Sequence, residues 1–159
     1  MKKVLSVLGL LGLSFFLLPS LSVAQHGHGA GMKEETMKMD TREVLVEGMK
    51  ITFMVMPNED HRKMLRDMKM KEDIEPGTTH NITVALKDGK TEKEITDAKV
   101  NMKVIDPKGK DQIKALKYEE TMKSYDAYFT LSEKGKYQII VLVKAGDQKS
   151  TAGIYYEIK

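Results

Sequence analysis

His61, Met64 and Met68 stand at i, i+3 and i+7, while Arg62, Lys63, Arg66, Asp67 and Lys69 fall elsewhere around the same helical wheel. One face of one short helix would therefore carry an imidazole and two thioethers with no charge between them. Thioether sulfur is a soft neutral ligand and imidazole a borderline one, a set that suits Cu(I), or Ag(I), over zinc, calcium or magnesium. Neutral donors leave the ion's charge uncompensated, which favours a monovalent ion. Met54 and Met56 point away from Ile51, Phe53 and Val55 on an alternating strand, and His80 is in phase with Ile82, Val84 and Leu86. These three are candidate further ligands. A second group lies ahead of the first strand: His26-Gly27-His28 near a new amino terminus can bind Cu(II) through imidazole and backbone nitrogen, and Met32, Met37 and Met39 could hold Cu(I) loosely. The same residues also have a plainer use, because Met fills irregular gaps under a lid helix and a His in core phase commonly just bonds a neighbour.

The composition narrows the rest. The chain has 159 residues, enough for one ordinary domain, with no Cys and no Trp, so disulfides, thiol chemistry, Cys-based metal clusters and large stacking platforms are excluded. Met is unusually frequent at 12. Without Cys, it is the obvious soft ligand in an oxidising compartment. Removing Lys2 and Lys3 with the leader leaves 24 basic against 23 acidic residues, a net charge of +1 and no electrostatic footprint for nucleic acid. Catalysis is not expected: Ser124, Ser132 and Ser150 lack a nucleophile-elbow pattern, Glu34-Glu35, Glu59-Asp60 and Glu119-Glu120 sit in polar runs, and the glycines mark turns, not a phosphate loop.

The elements that must position these side chains follow from hydropathy. Met1-Lys2-Lys3, the apolar run Val4 to Leu18 and the small residues Ser22 and Ala24 read as a secretory signal peptide over 1–24, its apolar run too short to span a membrane. The mature chain is expected to be exported to the periplasm or beyond, without a membrane span. Residues 25–42 are Gly-, His-, Met- and charge-rich with no apolar period and read as a flexible tail. From 43 to 159 the pattern is period two: Val44 and Val46, then Met49 to Val55, Ile82 to Leu86, Ala98 to Val104, Tyr125 to Leu131, Tyr137 to Val143, Ala152 to Ile158, and a weaker strand over Gln112 to Tyr118. Asn58 to Met70 breaks it as a helix, with Asp60 as expected N-cap. The expected architecture is all-β, an antiparallel immunoglobulin-like sandwich of seven or eight strands with one short inserted helix.

The run from Thr79-His80-Asn81-Ile82 to Lys87-Asp88-Gly89, then Ile95 to Val100, Pro107-Lys108-Gly109, Tyr125-Asp126-Ala127-Tyr128-Phe129 and Gly135-Lys136-Tyr137, resembles the exported YtkA-like domains over about residues 77–159. The resemblance implies an immunoglobulin-like sandwich and, through relatives that occur with copper-handling proteins, a link to copper; it implies no site residues. Two functions are expected. One is a periplasmic soft-metal carrier using copper, its ligands drawn from His61, Met64, Met68, His80, Met54, Met56, His26 and His28. The other is a non-catalytic accessory module that binds another envelope protein, the Met face of the helix serving as an adaptable apolar contact. The chain is also similar in type to the immunoglobulin-like periplasmic proteins of ferrous-iron uptake, without their ligand spacing.

Overall fold

Alternation along Met49–Pro57 puts Met49, Ile51, Phe53 and Val55 into the core, each 2% exposed or less, and the same period recurs in the strands that pack against it. The computed structural model describes residues 37–159; the leader, His26, His28 and Met32 lie outside the described residues. Nine strands and one helix follow in order: β1 (Asp40–Val46), β2 (Met49–Pro57), α1 (Asn58–Asp67), β3 (His80–Asp88), β4 (Lys99–Ile105), β5 (Asp111–Ala115), β6 (Lys117–Glu119), β7 (Ser124–Phe129), β8 (Gly135–Ala145) and β9 (Gln148–Ile158). They form two antiparallel sheets, β1-β2-β3-β7-β6 and β5-β4-β8-β9. With β1 set aside, the strand orders are those of the two immunoglobulin sheets, A-B-E-D and C′-C-F-G. The expected sandwich is therefore the observed one.

A second immunoglobulin hallmark sits at the start of β8. The Tyr137 hydroxyl donates to the Glu133 carbonyl at 2.9 Å and accepts from the Glu133 amide at 2.8 Å, a tyrosine corner. Tyr137 itself is fully buried. Two residues on, where antibody domains carry a Cys, this chain has Ile139, packed in the same core as Met102, Val104, Val141 and Phe129.

The structure differs from the sequence expectation in three places. The single weak strand expected over Gln112 to Tyr118 is two strands in different sheets: β5 pairs with β4, and β6 pairs with β7. Leu116 between them is buried at 8% exposure and its amide bonds the Val100 carbonyl, so burying this one side chain turns the chain from one sheet to the other. The helix has no Asp60 cap. β2 runs straight into α1, Pro57 takes the N-cap position without a side-chain bond, and the Asn58 amide donates to the Thr79 carbonyl at 2.8 Å. Glu59 and Asp60 instead lie in the first turn, where the helix dipole favours them. At the other end α1 stops at Asp67, short of the expected Met70, in a Schellman arrangement: Lys69 takes a positive φ of 55° and its amide bonds Arg66, while the Met70 amide bonds Leu65. Finally, β1 begins at Asp40, so Asp40, Thr41 and Arg42 pair with Val55, Met54 and Phe53 and are part of the sheet rather than of a tail.

Among the described residues, no helix is long and apolar enough to cross a membrane.

Candidate metal centre

α1 lies on the outer face of the five-stranded sheet. His61, on its first full turn, reaches the Tyr128 hydroxyl at 3.1 Å with Nε2, and the two rings meet edge to face at 5.6 Å. Tyr128 pairs with Asn81 on β3, and Asn81 pairs with Met56 on β2, so the three side chains form one row on that outer face. The next row holds Met54, Thr83 and Asp126. Met56 and Leu65 are buried at 5% and 3% exposure, yet among the described residues they are the two buried apolar side chains that do not belong to the main core. Met56 lies on the outer side of β2, and Leu65 is the buried apolar residue of α1.

His61 is 3% exposed, and its Nδ1 is a buried polar atom without a hydrogen-bond partner. The Asn58 side-chain oxygen, one turn earlier, is another, although its Nδ2 donates to Thr78 Oγ1 at 2.9 Å. Burial holds the His61 imidazole below its ordinary pKa, against a smaller upward pull from Asp73. The ring is therefore a neutral donor, fixed by Tyr128 on one nitrogen and open on the other. Burial also pushes the Tyr128 phenol up to about 12, so it stays protonated.

Beside His61 opens a cleft of about 670 Å³, walled by the segment after α1 and by β5, β6 and β7; His61, Tyr128, Asp126, Asp73, Met70 and Met122 line it. Asp126 accepts from Asn81 Nδ2 at 2.9 Å, and Asn81 Oδ1 accepts from Thr83 at 2.8 Å. Burial raises the Asp126 carboxyl above its usual range, with Asn81 pulling the other way. Among the described residues, no three His, Cys, Asp or Glu side chains gather where they could hold an ion.

The expected ligands separate by face. Met64, one turn after His61, is half-buried, and Met54 and Met56 share the outer face with the helix. Met68 is the C-cap of α1 and 46% exposed, away from the buried part. His80 lies on the other side of the sheet: its ring meets Tyr156 of the opposing sheet edge to face at 5.9 Å, and its Nδ1 pairs with Thr79 Oγ1 at 2.8 Å. Hence His61 and His80 cannot serve one ion together. Tyr128, Asn81 and Met122 were not legible as site residues. Only the alternation that turns Tyr128 and Asn81 away from Phe129 and Ile82 hinted at a second covered face.

The two imidazoles give stability a definite pH dependence. Burial lowers the pKa of both His61 and His80 from 6.5, so between that value and the lower folded-state values the unfolded chain binds more protons. Stability should be full above about pH 6.5 and fall as pH drops below it. Asp126, shifted upward, acts with the opposite sign from about its ordinary value of 3.8 to its raised folded-state pKa, favouring the folded state at the acid end. Urea midpoints measured from pH 7.5 to 5 should decline, and His61→Gln with His80→Gln should flatten the decline; a flat wild-type profile would contradict buried neutral imidazoles.

No protein-family model matches the chain, and none of the curated proteins matches it either. Solved structures do. The periplasmically expressed FetP of uropathogenic Escherichia coli superposes with a TM-score of 0.57 at 9% identity, covering 76% of this chain and 96% of that one. A copper-bound variant of the same FetP gives 0.57 at 10% identity, over 76% and 97%. A DUF4426 family protein of Pseudomonas aeruginosa gives 0.55 at 17% identity, over 74% and 94%. At these identities the likeness carries the fold alone.

Proposed function

We propose that this protein is a non-catalytic, exported binder of a soft monovalent metal ion, Cu(I), held on the outer face of the five-stranded sheet by His61 with Met64 and Met56. The observation that carries the reading is the His61 imidazole, buried with Nδ1 unpartnered and Nε2 set against the Tyr128 hydroxyl. A metal-bound imidazole characteristically donates its other ring N–H to an oxygen that fixes its orientation, and Tyr128 is placed to accept it. Metal on Nδ1 would also satisfy an atom whose isolation otherwise costs about 1–3 kcal/mol. The ion would supply only its coordination preference; the chain's part is to keep the imidazole neutral, exclude water and present sulfur. That FetP, a distant structural neighbour, has a copper-bound form lends support.

The test is competition for Cu(I) against a chromogenic chelator, comparing the full chain with a Met56→Leu, Met64→Leu double variant. Leu keeps nearly the same volume, so packing is preserved while both sulfurs go. The variant should bind at least about tenfold more weakly, or 1.4 kcal/mol. Equal affinities would show that the thioethers only pack.

A second reading is favoured by one other observation. On the outer face of the four-stranded sheet, Ile113, Leu142 and Tyr155 are 67%, 46% and 60% exposed. Such a face suits an accessory module that contacts another envelope protein.

A further inference from the structure

Met37 and Met39 are 45% and 51% exposed, and they immediately precede β1. The β1–β2 register is Thr41 opposite Met54 and Asp40 opposite Val55. The ladder ends at Asp40, and its continuation by one residue would set Met39 opposite Met56. Parity agrees: Val44 and Val46 of β1 pack on the core, so Thr41, Glu43 and Leu45 face outward, and Met39 is in phase with them. Directly opposed residues on one face have Cβ atoms about 4.5–5.5 Å apart and diagonal ones about 7–8 Å, within reach of a flexible Met side chain. With that continuation, Met39, Met54 and Met56 would occupy one small triangle at the sheet edge. Exposure falls from 51% at Met39 through half-buried Met54 to 5% at Met56.

We infer that Met39, Met54 and Met56 form a thioether capture site for a soft monovalent ion at this edge, from which the ion passes to His61. This rests on the soft-metal reading above. Three neutral sulfurs and no charged group form a set that takes Cu(I) or Ag(I) and discriminates against hard divalent ions. Met56 would belong to both places, since it is opposite the extended position of Met39 and is buried on the same outer face as Tyr128, the partner of His61. Transfer is a ligand exchange: a metal–sulfur bond to Met39 or Met54 breaks as a metal–nitrogen bond to His61 Nδ1 forms. The ion keeps its oxidation state. With the imidazole N–H on Nε2, no proton leaves Nδ1.

The experiment uses the full chain with 13C-labelled Met methyls and Ag(I) as a redox-inert probe, in the wild type and in His61→Phe. The Met39, Met54 and Met56 methyl resonances should shift together in both chains, and Met64 should shift in the wild type alone. Met39→Leu should diminish the Met54 shift and slow Cu(I) uptake from a chelator severalfold. If Met56 and Met64 shift while Met39 and Met54 stay still, the capture site is overturned and the His61 centre stands. If the three edge methyls shift while Met64 and the His61 ring do not, the capture site stands and the His61 centre fails. If no Met methyl moves, both are overturned.

Discussion

His61→Phe should remove high-affinity Cu(I) binding while leaving the fold in place. Phe keeps an aromatic ring of similar size against the Tyr128 ring, which His61 now meets edge to face, so the packing under α1 persists. The donor nitrogen does not. Tyr128→Phe is the informative companion, because it leaves every proposed ligand untouched and removes only the oxygen that Nε2 addresses at 3.1 Å. Loss of the group that orients a metal-bound imidazole costs about 10- to 100-fold in affinity, so Tyr128→Phe should fall in that range and His61→Phe beyond it. Chelator competition on both variants checks this. A Tyr128→Phe chain with wild-type affinity would show that the hydrogen bond serves packing alone, and a His61→Phe chain with wild-type affinity would remove His61 from the ligand set.

Leu65→Ala should be the most destabilising change outside the main core, and it should weaken metal binding without touching a ligand. Leu65 is 3% exposed and is the buried apolar side chain of α1, outside the main core. Buried Leu→Ala substitutions cost about 2–5 kcal/mol through lost transfer energy and the cavity left behind. Other ties of the helix are polar: the Asn58 amide to Thr79, Asn58 Nδ2 to Thr78, His61 to the Tyr128 hydroxyl, the Schellman turn at Lys69, and the exposed ion pairs of Arg62 and Arg66 with Glu72 at 3.3 and 3.7 Å. Freed of Leu65, α1 should detach locally and His61 lose its fixed place. Leu65→Met, which conserves volume, should recover most of both losses. The check is a denaturant midpoint together with chelator competition; a Leu65→Ala chain with unchanged midpoint would mean that the helix is not seated by this side chain.

The strands, the core and the helix were legible from residues alone because their signals are local. Alternation in Met49 to Val55, Val100 to Val104 or Tyr137 to Val143 is produced by the pleat itself, and each residue's inward or outward sense follows from its parity. The same parity shows Met102 as core and sets Met54 and Met56 facing away from it, as the structure has them. What parity lacks is the identity of the neighbour. It could not say that β3 lies beside β7, which brings Tyr128 into the row of Asn81 and Met56, nor that α1 crosses this outer face toward β7 rather than closing the end of the sandwich. His61 and His80 were candidates for one ion for that reason; the sheet that separates them exists only once β2, β3 and β7 have paired. Leu116 likewise reads as one more alternating residue until the second sheet is there to receive the chain beyond it. Asp40, Thr41 and Arg42 read as tail until β1 pairs with β2. Periodicity is written within a few residues of chain, whereas pairing and register are settled by burying apolar surface between segments far apart in sequence, and it is that non-local choice which decides which imidazole and which sulfur can meet.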